Sequence, residues 1–535
     1  MKHKLLASVA VAALWTGSAF AADIPVKAPP ITCPSCNWNG YYIGLNFGGS
    51  IGHGSANDSI SLIPAAGPGV INPISNTTYS QSPAGFLGGG QIGYNWQIGH
   101  WVLGAEADWD AASQRDNLQI NNFIASSVVV APAAYAYSDQ ERIKWLSTAR
   151  ARVGWASGYT LVYITGGAAW GGVDSNYTFQ AVQTGAGATF TSAPGAASFS
   201  TTKTGWAIGS GVETSLGWMG ANHWSAKLEY LYVDLGSITN SFAVVQPGVP
   251  GSTYNISSTS KIHDNIVRLG LNYRFGGEQY APPPTRGPCP TCDWRGFYVG
   301  VNELTGIAHN RTHDTDELIP RTVNTANINN PLTDVVHTES PFGYGAGGQF
   351  GYNWQSGHFV LGAEGDFDWV RQRDTFANVN FVASTVVVAP AQIAITDNQK
   401  IDWLATLRGR VGWQESCFLW YVTGGAAWGR VESNYTFQAT QTAGASVFPT
   451  APAGASFSTT KTGWTIGGGV ESPLTFFGLS NRWTSKFEYL YVDLGSISNS
   501  FSVPLTVGAG NHVISSTSEI RDHIIRAGVN YRFGG

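Results

Sequence analysis

Trp101-Val102-Leu103-Gly104-Ala105-Glu106-Ala107-Asp108-Trp109-Asp110 alternates without a break. Successive side chains of an extended strand point to opposite faces. Trp101, Leu103, Ala105, Ala107 and Trp109 therefore share one face, and Glu106, Asp108 and Asp110 share the other. Further on, Val267, Leu269, Leu271, Tyr273 and Phe275 oppose Arg268, Gly270, Asn272 and Arg274 in the same way. An apolar face bounded by aromatic rings, backed by a charged face, predicts a transmembrane antiparallel β-barrel with lipid outside and a polar lumen.

The pattern occurs twice. Asn272-Tyr273-Arg274-Phe275-Gly276-Gly277 returns as Asn530-Tyr531-Arg532-Phe533-Gly534-Gly535, and Tyr94, Trp145 and Phe275 recur at a constant offset as Tyr352, Trp403 and Phe533. The lead is repeated too, Cys33-Pro34-Ser35-Cys36-Asn37-Trp38 matching Cys289-Pro290-Thr291-Cys292-Asp293-Trp294. The all-β chain is thus a head-to-tail duplication.

Within the first copy eight strands are expected, at about 38–49, 85–98, 100–115, 142–156, 159–173, 203–218, 223–236 and 263–275. Long loops at 50–84, 116–141, 174–202 and 237–262 alternate with tight turns such as Ile98-Gly99-His100. Long connections outside and short turns in the periplasm are the outer-membrane arrangement. Trp38, Trp96, Trp101, Trp155, Tyr159, Trp218, Trp224 and Phe275 form a ring level near the turns, and Trp109, Trp145, Trp170 and Trp206 a second toward the loops. Trp101 to Trp109 spans roughly 20 Å along the membrane normal, close to the apolar band such belts enclose.

Composition agrees. Aromatic residues make up 13% and charged residues 12%, with 66 Gly, a balance unlike that of a soluble enzyme. Lys2 and Lys4, an apolar run to Trp15 and Ala19-Phe20-Ala21 read as a secretory signal over 1–21, directing the chain across the inner membrane. The segments that follow are a Pro-rich lead (22–37), a first barrel (38–276), a linker carrying Pro282-Pro283-Pro284 (277–293) and a second barrel (294–535). The formal net charge is −5 and no basic block occurs, so nucleic acid is not an expected partner. Cys33 with Cys36 and Cys289 with Cys292 are read as two local disulfides, with a shared four-thiolate zinc site as the lesser reading, and Cys417 is left over.

The inward-facing charges are Glu106, Asp108, Lys144, Arg150, Arg152, Glu213, Lys227, Glu229 and Arg268 in the first copy. Glu364, Asp366, Arg408, Arg410, Glu471, Lys486, Glu488 and Arg526 are their counterparts in the second. An eight-stranded barrel is only wide enough to be filled by side chains, so these are expected to pair across the lumen and plug it. A narrow ion path or proton-coupled site is the lesser reading. His263 with Asp264 and His523 with Asp522 lack a nucleophile or orienting third group, so neither catalytic residues nor an enzyme is expected. His309, His313 and His337 could ligate haem or metal, but solvated loop histidines are the commoner outcome. No cofactor is expected.

Trp38-Asn39-Gly40-Tyr41-Tyr42-Ile43-Gly44, Leu103-Gly104-Ala105-Glu106-Ala107-Asp108, Gly205-Trp206-Ala207-Ile208-Gly209-Ser210-Gly211-Val212-Glu213, Leu228 to Gly236 and the Asn272-Tyr273-Arg274-Phe275 ending together resemble the outer-membrane immunogenic, opacity-like porin family of alphaproteobacteria. The resemblance covers both copies. It implies a Gram-negative outer-membrane location, eight-stranded barrels serving envelope integrity and surface exposure, and recognition by the barrel-insertion machinery. Some relatives are described as porins or haem binders, and no catalytic residues come with it. The chain departs from the pattern where Gly534 and Gly535 follow the terminal aromatic, and in carrying two units.

Two tandem eight-stranded barrels are expected, with one sixteen-stranded barrel as the alternative. The stiff Pro-rich linker and the balanced charges of each copy favour the first. The expected function is a structural, surface-exposed barrel in contact with outer-membrane lipid, its loops meeting extracellular ligands. The alternatives are a diffusion porin for small hydrophilic solutes and a haem-binding surface protein.

Overall fold

The computed structural model describes residues 37–63, 73–123, 134–157, 159–185, 188–192, 194–219, 221, 223–246, 251–275, 293–319, 331–381, 390–415, 418–443, 446–449, 452–474, 479–505 and 510–533. The signal, both Cys pairs and Cys417 lie outside the described residues.

The first copy contains β1 (Gly40–Gly52), β2 (Gly54–Ile63), β3 (Ser75–Gln81), β4 (Ala84–Ile98), β5 (Trp101–Phe123), β6 (Ala134–Ser157), β7 (Thr160–Gly185), β8 (Ala188–Thr191), β9 (Gly195–Ser215), β10 (Trp224–Val245) and β11 (Thr253–Phe275). The second contains β12 (Gly296–Ala308), β13 (Asn310–Ile319), β14 (Thr333–Glu339), β15 (Phe342–Ser356), β16 (Phe359–Phe381), β17 (Pro390–Glu415), β18 (Phe418–Ala443), β19 (Ser446–Pro449), β20 (Ala453–Pro473), β21 (Trp483–Pro504) and β22 (Asn511–Arg532). The fold is an all-β antiparallel barrel, and the paired strands form one continuous 22-stranded sheet.

At membrane level the ladder of each copy returns on itself. Tyr42 of β1 lies opposite Gly93 of β4 on one side and Arg274 of β11 on the other. In the second copy Tyr298 of β12 lies between Gly351 of β15 and Arg532 of β22. The short turns close tightly: Ile98 pairs with Trp101 while Gly99 takes a φ of 62°, a left-handed conformation suited to glycine. The outward residues are apolar, with Trp101, Leu103, Trp109, Leu269 and Phe275 all exposed to the surroundings of the sheet.

Two expectations are corrected at the outer end. The long loops are largely strand: β5, β6, β7, β9, β10 and β11 all run well past the outer aromatic level, because polar–apolar alternation such as Thr253-Tyr254-Asn255-Ile256 continues there and buries Tyr254 and Ile256. The copies are also not separate barrels standing side by side. Hairpin β2–β3 is bracketed by β11 of its own copy and β16 of the other, where Thr78 faces Ala377. Hairpin β13–β14 is bracketed by β22 and by β5 of the first copy, where Val336 faces Gln119. Each copy's first outer hairpin would otherwise expose an unpaired edge, and the reciprocal exchange removes both edges.

Side chains fill the interior in layers. Trp38, Val102, Ala156, Leu161 and Tyr163 cluster at the turn end. The charged layer follows, and then an apolar layer with Leu146, Leu231, Leu235 and Ile266. The outermost cluster joins the copies, with Ile60, Tyr79 and Tyr254 from the first and Val335, Phe376 and Ile514 from the second.

Candidate functional site

The alternation of β5, β6, β10 and β11 aims their charges at one level of the lumen. Arg150 Nη2 lies 2.6 Å from Glu106 Oε1 and 2.8 Å from Asp108 Oδ2, while its Nη1 lies 3.1 Å from Glu229 Oε1. Arg268 reaches Asp108 at 2.6 Å, Asp110 at 2.8 Å and Glu229 at 2.7 Å. Lys227 Nζ is 3.0 Å from Glu106 Oε1 and donates to Gln91 Oε1 at 2.6 Å. Arg152 lies 3.1 Å from Glu213 and donates through Nε to Asn95 Oδ1 at 2.8 Å.

The second copy repeats the set. Arg408 meets Glu364 at 2.5 Å, Asp366 at 2.8 Å and Glu488 at 2.9 Å. Arg410 meets Glu471 at 3.2 Å, Lys486 meets Glu364 at 2.7 Å, and Arg526 meets Asp366 at 3.0 Å. Of the seventeen inward-facing charges singled out from the sequence, all but Lys144 are buried.

Several members were not singled out from the sequence. Asp110 and Asp368 continue the inward alternation and accept from Arg268 and Arg526 at 2.8 Å and 2.5 Å. Tyr42 donates to Glu106 Oε2 at 2.7 Å and Tyr163 to Glu229 Oε1 at 2.8 Å. Their rings need glycine opposite: a Cβ at Gly93 would lie 2.2 Å from Tyr42 Oη, and one at Gly211 would lie 2.4 Å from Tyr163 Oη. Strand tyrosines set against facing glycines are the signal that could have found them.

Lys144 does not belong to the lumen. A β-bulge between Ile143 and Trp145 reverses the alternation, and Lys144 turns outward to pair with Asp174. Trp38 and Trp294 do not join the lipid-facing ring level either. Both are fully buried, under Arg274 and Arg532 respectively. Lacking a strand partner to hold them outward, they fold across the mouth at the short-turn end, where the Trp38 amide donates to Gln97 Oε1 at 2.7 Å.

The histidines are dispersed. His263 is half-buried beside Asp234 on the outward face, while Asp264 is buried inward with Ser50 and Gln114, so these neighbours form no dyad. His313 pairs with Asp334 at 2.7 Å on the surface, and His337 stacks on Phe376 at 3.8 Å inside. Among the described residues no three His, Cys, Asp or Glu side chains come together to hold a metal.

Beyond the membrane level the interior becomes acidic. Asp139 accepts from Tyr79 Oη at 2.9 Å, Asp58 from Tyr137 Oη at 3.0 Å and Glu141 from Ser260 Oγ at 2.6 Å. Burial pushes Asp58 up to about 6 and Glu141 up to about 7, and raises Asp139 well above the usual carboxylate range. Burial likewise raises Asp314 to about 6 in the second copy, and Glu339 and Asp397 well above the usual range.

A family model described as the outer membrane protein beta-barrel domain matches residues 7–275 and again 293–533. The chain belongs to this outer-membrane β-barrel family. It is similar to the 31 kDa outer-membrane immunogenic protein of Brucella melitensis biotype 1, 32% identical over 286 residues that cover 51% of this chain and 100% of that protein. It is also similar to the 22 kDa outer membrane protein of Rhizobium leguminosarum bv. viciae, 31% identical over 156 residues that cover 29% of this chain and 54% of that one. Among solved structures, Neisserial surface protein A aligns with 44% of this chain and 97% of its own at 10% identity and a TM-score of 0.17. This tandem member of the outer-membrane β-barrel family is a protein of the Gram-negative outer membrane with alphaproteobacterial relatives.

Proposed function

We propose that each copy encloses its own filled lumen and that the protein is a non-catalytic structural and surface-display barrel, supporting the envelope while its outer end meets extracellular partners. The observation that carries this reading is the desolvation of the charge network. The side chains of Arg150, Glu106, Asp108, Glu229 and Arg268 are at most 2% exposed, and each cation is shared among several carboxylates. A channel for hydrophilic solutes needs its charges wetted. Charges removed from water persist only when paired and hydrogen-bonded in this manner. The Trp38 and Trp294 lids and the apolar layers above the network add to the obstruction.

Planar-bilayer recording of the purified mature chain tests the proposal. Closed lumens give a quiet membrane. Large, stable open-channel steps from preparations free of other porins would overturn it in favour of a diffusion pore.

A further inference from the structure

Just beyond the outer aromatic level the two copies differ on the outward face of β16. Phe367, Trp369, Arg371 and Arg373 occupy alternate positions on that face, so two rings are followed toward the outside by two guanidinium groups. The corresponding run in β5 is Trp109, Ala111, Ser113 and Arg115. On the neighbouring strands Arg430 stands where the first copy has Gly172, and Lys400 where it has Arg142.

These side chains line an outward groove of about 1210 Å³, walled by Trp369, Trp403, Arg371, Arg373, Lys400 and Arg430. Tyr344 lies at its membrane side, where Phe86 stands in the first copy. Four cations face two carboxylates in the lining, Glu303 and Asp402. Lys400 and Arg430 are held in place by Glu432, at 3.3 Å and 3.4 Å, and Arg430 also donates to Ser458 Oγ at 2.9 Å. Arg371 and Arg373 are exposed, and neither forms an ion pair among the described residues. β-bulges at Val370–Arg371 and at Asp402 re-aim the strands at this level.

We propose that this groove holds a phosphate-bearing lipid of the outer leaflet, its phosphate on Arg371, Arg373 and Arg430 and its acyl chains against Trp369, Trp403 and Tyr344. Guanidinium groups match phosphate oxygens in planar, bidentate geometry. Indole rings occupy the boundary where headgroups meet hydrocarbon. A free anion would engage the cations and leave the rings without a role. An amphiphile uses both halves of the groove in the order in which β16 presents them. The site belongs to the second copy, because the substitutions that build it are absent from the first.

Native mass spectrometry of the full mature chain in a nonionic detergent tests the site. The probes are bisphosphorylated lipid A, the same lipid stripped of both phosphates, and inorganic phosphate. The native protein should retain the bisphosphorylated lipid about tenfold better than the stripped one, and excess inorganic phosphate should not displace it. W369A, R371S and R430G together install the first copy's residues, so a folded, heat-modifiable barrel is expected with retention reduced about tenfold. R115S with R142Q, a mirror variant that removes the first copy's cations at the positions of Arg373 and Lys400, should leave retention nearly unchanged. The proposal is overturned by undiminished retention in the triple variant, by equal retention of the stripped lipid, by an equal loss in the mirror variant, or by displacement with inorganic phosphate, which would mark a plain anion site.

Discussion

The guanidinium carbon of Arg274 lies 4.8 Å above the ring of Trp38, joining the residue that precedes the first strand to the end of the last. Arg532 covers Trp294 at 4.6 Å in the second copy. Each lid therefore depends on the barrel having closed, since its two members come from opposite ends of the copy. Removing the indole leaves a cavity beneath the guanidinium, and such truncations cost about 3–5 kcal/mol. W38A should lower the temperature at which the protein loses its heat-modifiable gel shift, and W38A with W294A should lower it further. An unchanged transition would show that the indoles do not support the short-turn end.

Arg150 is shared among three carboxylates, so its loss exposes the imbalance of the whole layer. R150M retains bulk and removes the charge, leaving Glu106, Asp108 and Glu229 with too few donors. Breaking a buried ion pair from one side costs about 3–5 kcal/mol. R150M with E229Q restores part of the balance and should recover part of the loss in refolding titrations with urea. A double variant no better than R150M would indicate that Glu229 is held by Arg268 and Lys227 without help from Arg150.

Strand alternation made the lumen legible because every charge of the network sits in phase with Glu106 on a strand that the aromatic levels had already oriented. It misplaced Lys144 because a bulge adds one residue to β6 and reverses the phase without any mark in the composition. Asp110 was visible as an inward residue, yet only the position of Arg268 shows that it closes the layer. The outer strands read as loops because Ser, Thr and Asn dominate one of their faces, and that composition belongs equally to a loop and to a strand exposed on one side. The exchange of β3 and β14 had no local signal, since the partners Thr78 and Ala377 are far apart in the chain. The groove on β16 carries no signal in the repeat, because it is built from a few outward positions at which the copies diverge while the strands around them agree.

The acids of the outer end give stability a pH dependence of definite sign. Asp58 and Asp314 are raised to about 6 and Glu141 to about 7, chiefly by burial. A carboxyl that holds its proton more tightly when folded stabilises fully below its unfolded value near about 4, and that contribution is lost as pH rises through the folded value. The outer ends of β6 and β11 should therefore be best protected in mild acid and loosen between about pH 4 and 7. Amide hydrogen exchange, corrected for the intrinsic pH effect, should show faster exchange of these segments at pH 8 than at pH 5. D58N with E141Q should flatten the difference. Equal protection at both values would remove these acids as its source.

The reciprocal hairpins predict a covalent test of how the copies meet. Thr78 of β3 and Ala377 of β16 are directly opposed on the accessible face of an antiparallel ladder. Opposed residues lie about 4.5–5.5 Å apart between Cα atoms, within disulfide reach. T78C with A377C, in a chain whose five native cysteines are replaced by serine, should cross-link under mild oxidation. With a protease site placed in the linker at 277–292, the cleaved halves should stay together on a non-reducing denaturing gel and part when reduced. T78C with T375C moves one thiol two residues along the same face, to a diagonal of about 7–8 Å, and should cross-link far less. Halves that separate without reductant, or cross-link equally with either partner, would mean that β3 does not pair with β16 in this register.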